Sequence, residues 1–124
     1  MTQALKTDLY QLTMAAAYQR RGIAEQRVTC EAFLRRLPPR RSFLVMAGVP
    51  RLVEYLAGLR FSDEDVAFLR TLPQLAPALD AGFDDVLRGF RFRADVWAVP
   101  EGSVVYANEP LVRVTGTLLE AQIV

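Results

Sequence analysis

Hydrophobic positions follow a helical rhythm, then a strand rhythm, and repeat that order once before a final helical stretch. Leu5, Leu9, Leu12 and Ala16 are spaced four, three and four residues apart, which aligns them along one face of a helix. Tyr10, Met14 and Ala17 form the neighbouring stripe. Thr7 is placed to cap the helix, Asp8 lies at its positive end, and Gly22 supplies the stop. The spacing predicts a helix over residues 7–21.

Residues 27–37 read as a strand. Val28, Cys30, Ala32 and Leu34 alternate with Thr29, Glu31, Phe33 and Arg35, and apolar side chains in both sets predict cover on both faces. Pro38-Pro39 ends the strand because proline removes ladder donors. Helices follow. Pro50 suits the first turn of one whose face holds Leu52, Val53, Leu56 and Leu59. Ser62 opens another, with Asp65 in a capping-box position and Val66, Leu69 and Leu72 along its apolar edge. Leu79, Phe83, Val86, Leu87 and Phe90 keep helical spacing, weakened by Gly82.

The rhythm then becomes alternating. Phe90, Phe92, Ala94, Val96 and Ala98 share one strand face opposite Arg91, Arg93 and Asp95. Pro100-Glu101-Gly102 turns the chain into a strand at 104–107, and Asn108-Glu109-Pro110 turns it into another at 111–115. These three segments predict an antiparallel meander, and the whole reads as an α/β chain with a mainly antiparallel sheet. Residues 118–124 begin a helical pattern and stop on two apolar residues, which suggests a chain cut short; a short terminal helix docked on the sheet is the alternative. No internal repeat, low-complexity tract or interdomain linker interrupts the pattern.

Composition narrows the chemistry. The 124 residues are 52% hydrophobic, enough for one domain with a core. Fifteen basic against fourteen acidic residues leave a net charge of +1, which argues against nucleic acid as a partner. The single cysteine, Cys30, allows no internal disulfide and fits a reducing, cytoplasmic setting. No apolar run approaches the ~20 residues that span a bilayer, and no signal-peptide pattern opens the chain, so no membrane association is expected. The absence of histidine excludes Ser-His and Cys-His pairs and any histidine-ligated metal here. No two carboxylates are marked by spacing as an acid-base pair.

Several segments occur together in one order: Thr7-Asp8-Leu9-Tyr10-Gln11-Leu12-Thr13-Met14, Glu31-Ala32-Phe33-Leu34-Arg35-Arg36-Leu37-Pro38, Phe43-Leu44-Val45-Met46-Ala47-Gly48 and Tyr55-Leu56-Ala57-Gly58-Leu59-Arg60-Phe61. Phe92-Arg93-Ala94-Asp95-Val96, Pro100-Glu101-Gly102, Glu109-Pro110-Leu111 and Glu120-Ala121-Gln122-Ile123-Val124 continue the series. Each is weak alone. Together they span nearly the whole chain, which resembles the N-terminal part of nicotinate phosphoribosyltransferases.

The resemblance implies an N-terminal α/β domain over residues 1–116, with residues 117–124 starting a barrel domain that is missing here. It implies a parent enzyme that joins nicotinate to phosphoribosyl pyrophosphate, forming nicotinate mononucleotide and pyrophosphate in NAD biosynthesis. ATP hydrolysis is coupled to the reaction, magnesium is carried by the phosphates, and the parent is expected to be a cytoplasmic homodimer. Tyr10 is the residue carried over as substrate-binding: in the family the tyrosine of this motif lines the pyridine site and can reach across a dimer interface. An aromatic face suits stacking on a pyridine. From composition alone, a tyrosine at the core edge anchoring helix to sheet is the simpler account. No catalytic residue, cofactor-binding residue or metal ligand is assigned to this chain. The phosphorylatable histidine and the arginine-rich and glycine-rich phosphate sites of the family lie beyond it, so the isolated chain is expected to be inactive.

Other residues have bland and functional readings side by side. Asp8 reads as a helix-start residue. Arg35, Arg36, Arg40 and Arg41 suit phosphate oxygens, but a solvated loop around two prolines explains them more simply. Glu101 and Glu109 read as turn residues rather than catalytic carboxylates. Cys30 reads as a buried, inert thiol. A non-catalytic interaction module keeping the family's dimer surface, or a fragment of a nicotinamide or quinolinate phosphoribosyltransferase, remain the alternatives.

Overall fold

Local hydrogen bonding sets the limits of the first helix, α1 (Leu9–Arg20), in the computed structural model, which describes residues 3–124. Asp8 is the N-cap, in extended conformation, and its N–H donates to Gln11 Oε1 at 3.0 Å. Thr7, expected as the cap, sits one residue outside and donates its hydroxyl to the same Gln11 oxygen. Gly22 stops the helix at φ 69°: its N–H reaches the Gln19 carbonyl, and the Ile23 N–H reaches Tyr18 (both 3.1 Å). This double closure satisfies carbonyls the helix end would otherwise leave open. Leu12, Ala15 and Ala16 form the buried face, whereas Leu9 is exposed, contrary to its place in the sequence stripe.

The expected meander is not formed. The central strand, β5 (Pro110–Thr117), is flanked by β1 (Arg27–Phe33) and β3 (Asp95–Ala98), both antiparallel to it, with Arg27 opposite Thr117 and Asp95 opposite Thr115. The segment at 104–107 instead contributes β4 (Val104–Val105), which pairs with β2 (Leu44–Val45) in a separate ribbon. Long-range hydrogen bonds explain the change. Met46 N–H donates to Ser103 and Gly102 N–H to Met46 (both 2.8 Å), tying the Pro100-Glu101-Gly102 turn to residues far upstream. The strand expected over 90–98 pairs only from Asp95, because the Arg93 N–H is taken by a glutamate of the last helix. Strand β1 is shorter than predicted and forms the sheet edge; apart from half-buried Val28 it is exposed, so the two-sided cover inferred from its sequence is wrong.

Four helical segments follow, and residues on them and on the turns between them join those of α1 in the core. Helix α2 (Val49–Ala57) follows Gly48 at φ 104°, has Pro50 in its first turn and buries Leu56; Val53, placed on its apolar face by spacing, is exposed. Helix α3 (Asp63–Arg70) carries the reciprocal Ser62–Asp65 capping box and buries Val66 and Leu69. The expected helix over 79–90 is broken: short α4 (Ala76–Ala78) runs into a π-turn at Leu79–Phe83, where Gly82 takes φ 98°, before α5 (Asp84–Gly89). A positive φ cannot continue a right-handed helix, and glycine adopts it without steric cost. Leu75, Leu79, Phe83 and Leu87 nevertheless point into one core, with Phe61 and Phe90 meeting edge to face at 6.0 Å. Outside it, Arg70 bridges Asp80 and Asp84, and Arg88 bridges Asp84 and Asp63. The Arg88 and Arg70 guanidinium groups hold the Asp84 carboxyl below the usual range.

Helix α6 (Leu118–Ile123) closes the fold against α1, burying Leu119 and Ile123. The result is a mixed α/β architecture in which α6 packs against strands β1 and β5 of an antiparallel sheet and α1 packs on α6. No helix among the described residues is long and apolar enough to cross a membrane.

Candidate functional site

Tyr10 lies in the first turn of α1 with its side chain turned outward, 57% exposed. The Thr13 hydroxyl donates to the Tyr10 carbonyl at 3.0 Å, and the neighbouring Leu9 and Met14 are also exposed. The same helix face continues through Thr13, Ala17 and Arg20, at intervals of three, four and three. Those three residues line a groove of about 580 Å³ whose far wall is built by Leu75, Pro77, Gly82 and Phe83. The lining is mainly apolar, with Thr13, Gln19, Arg20 and Gln74 as its polar members. Tyr10 lies one turn N-terminal to this groove and is not among its lining residues. The groove depends on the break at Gly82, which sequence spacing concealed by suggesting an uninterrupted helix.

The other residues singled out by sequence are dispersed. Asp8 caps α1, in keeping with a helix-start role. The carboxylate of Glu101 accepts the N–H groups of Gly48 (2.9 Å) and Val49 (2.8 Å), capping α2 from a turn about fifty residues away. Glu109 accepts the Tyr106 N–H at 2.8 Å within its own turn. Both carboxylates are therefore engaged with backbone. Cys30 is exposed on the edge strand, correcting the expectation of burial: alternation identified its face, but among the described residues no element covers it. Arg35, Arg36, Arg40 and Arg41 are all exposed. Among the described residues no three acidic, cysteine or histidine side chains gather as a metal site would require.

The sequence reading passed over Glu120. It is buried and joins three parts of the fold: its carboxylate accepts the Arg93 N–H (2.6 Å), the Thr117 N–H (3.0 Å) and the Thr117 hydroxyl (2.9 Å). Burial pushes this carboxyl up, but the donors from Thr117 and Arg93 outweigh it and hold the group below the ordinary glutamate range. Thr117 three residues before Glu120 was the available signal, a capping box at a helix start.

The family model of the nicotinate phosphoribosyltransferase (NAPRTase) N-terminal domain matches residues 5–124. Nicotinate phosphoribosyltransferase pncB2 of Mycobacterium tuberculosis is 44% identical over 124 residues, covering 98% of this chain and 25% of that protein. The Bacillus subtilis nicotinate phosphoribosyltransferase is 40% identical over 121 residues, covering 98% of this chain and 24% of its own. The crystal structure of human nicotinic acid phosphoribosyltransferase superposes with a TM-score of 0.82 at 40% identity, over 94% of this chain and 23% of that one. A nicotinate-nucleotide pyrophosphorylase from Pyrococcus furiosus, at 19% identity and TM-score 0.64, shares the fold alone. The chain thus spans about a quarter of the length of the curated relatives it matches.

Proposed function

Because the chain belongs to the nicotinate phosphoribosyltransferase family, as its N-terminal domain, we propose that it serves an enzyme forming nicotinate mononucleotide and pyrophosphate from nicotinate and phosphoribosyl pyrophosphate. In this reading residues 1–116 form the domain proper and residues 117–124 lead into a barrel domain. The parent enzyme couples the reaction to ATP hydrolysis, works as a cytoplasmic homodimer, and takes its magnesium with the phosphates. Among the described residues no acidic, cysteine or histidine side chains gather into a metal centre of this chain's own.

The reaction requires a flat ring to be held beside an anomeric carbon while negative charge departs. This chain contributes positioning. Tyr10 presents its ring to nicotinate, from one subunit toward the pocket of the other. The observation that carries this reading is the outward aromatic face of Tyr10, more than half exposed, within a chain that superposes on the human enzyme. A tyrosine anchoring helix to sheet would instead have its ring covered. With no histidine in the sequence and no two carboxylates marked by spacing as an acid-base pair, the 124 residues alone are expected to be inactive.

The test is nicotinate mononucleotide formation by the full-length protein. Tyr10→Ala is expected to raise the nicotinate KM about tenfold, from loss of ring stacking, while Tyr10→Phe stays near wild type. An unchanged KM in Tyr10→Ala would remove the assignment, and product formed by the 124-residue chain alone would overturn its inactivity.

A further inference from the structure

We propose that the groove between α1 and the π-turn at Leu79–Phe83 binds a medium-chain monocarboxylate, an alkyl chain ending in one carboxyl group. The site is separate from the role given to Tyr10, and neither reading rests on the other.

The first observation is shape. Thr13, Ala16, Ala17 and Arg20 form the α1 wall of the groove, which therefore follows two turns of that helix. With a helical rise of about 1.5 Å per residue, the run from Thr13 to Arg20 covers about 10 Å. An extended octanoate chain has that length. The volume, about 580 Å³, falls in the usual range for small-molecule sites.

The second is how the space arises. Gly82 at φ 98° breaks the helical run between α4 and α5, which brings Ala81 and Gly82 to the groove. Ala16, Ala17, Ala78 and Ala81 end at Cβ and leave the space unfilled, while the buried Leu75 and Phe83 give it an apolar floor. A π-turn set in a helical run is itself a feature that recurs at functional sites.

The third is charge. Among the described residues Arg20 is the one charged side chain lining the groove, and it stands at one end of the α1 wall. The acidic residues of the opposite segment, Asp80, Asp84 and Asp85, meet Arg70 or Arg88 instead, and among the described residues no carboxylate bridges Arg20. The last carbonyls of α1 are also taken: Ala17, Tyr18 and Gln19 accept the N–H groups of Arg21, Ile23 and Gly22. A guanidinium at the end of an apolar trough calls for one anionic head on an apolar body. The head meets Arg20 and the chain runs toward Thr13. A polyanion would find one cation and an apolar floor that offers its other charges nothing.

Titration of the isotope-labelled 124-residue chain with octanoate, followed by amide NMR shifts, tests the proposal. Saturable shifts should centre on Ala17, Ala78, Ala81 and Gly82. Octanol, which keeps the chain, and acetate, which keeps the carboxylate, should each bind at least about tenfold more weakly. Arg20→Gln should weaken octanoate roughly tenfold and leave octanol unchanged, whereas Arg21→Gln, outside the groove, should alter neither. Ala17→Phe, at an exposed position, should fill the groove and abolish binding without lowering the melting temperature. Shifts that do not saturate or that centre elsewhere, octanol held as tightly as octanoate, or Arg20→Gln binding octanoate like wild type would each overturn the proposal. So would a folded Ala17→Phe chain that still binds.

Discussion

Replacing Glu120 with alanine removes the acceptor that joins the end of β5, the start of α6 and the approach to β3. Two backbone donors, Arg93 N–H and Thr117 N–H, lose their partner in a place where the residue is only 8% exposed. An unsatisfied buried donor costs about 1–3 kcal/mol, and the Thr117 hydroxyl can turn elsewhere, so the net loss is about 3 kcal/mol. That is a large share of the roughly 5–15 kcal/mol that holds a domain together. Glu120→Gln keeps one oxygen and the shape, and should cost about half as much. Urea denaturation at neutral pH measures both. A pH series adds an independent check. The folded carboxyl titrates below its unfolded counterpart, so its contribution is complete above the unfolded value of about 4.3 and disappears as pH falls through the lower folded value. Glu120→Gln should therefore flatten part of the acid limb of the stability curve. If Glu120→Ala unfolds within about 0.5 kcal/mol of wild type, the carboxylate is not the joint described here.

Two further substitutions test the packing and the long-range cap. A methyl at Gly116 would lie 2.4 Å from the Ala94 Cβ and 2.9 Å from the Glu120 carboxylate, so Gly116→Ala should cost at least about 2 kcal/mol by thermal unfolding, and adding Ala94→Gly should recover part of it. An alanine at 116 with wild-type stability would contradict that close approach. Glu101→Ala should cost about 1–2 kcal/mol and speed hydrogen exchange at the amides of Gly48 and Val49, and unchanged exchange there would dismiss the cap.

Much of the architecture could be read locally. Gly22 marked the end of α1, Ser62 and Asp65 announced α3, and the alternation from Phe90 to Ala98 sorted its residues onto the correct faces. These features arise from neighbours within a few residues, where periodicity and capping act. The family was legible for a related reason: its motifs recur in order along the chain. The candidate site was legible as a residue type in a motif, and the exposure of Tyr10 required coordinates.

Strand partnership was decided elsewhere. Residues 90–115 contain three segments of strand rhythm joined by turns, and nothing local says that the outer two should pair directly with each other, with β1 on the far side of β5, while the middle one departs to pair with β2. Hydrogen bonds between Glu101, Gly102 and Ser103 and residues 46–49 accompany that choice. The exposure of Cys30 and Val53 has the same origin, since a pattern identifies a face but not what covers it. Periodicity, caps and turns are encoded within a few residues, and the chain alone therefore indicated most of its helices, several of its strand segments and its family. Pairing, burial and the groove beside α1 depend on residues far apart in sequence, and they emerged only when folding brought those residues together.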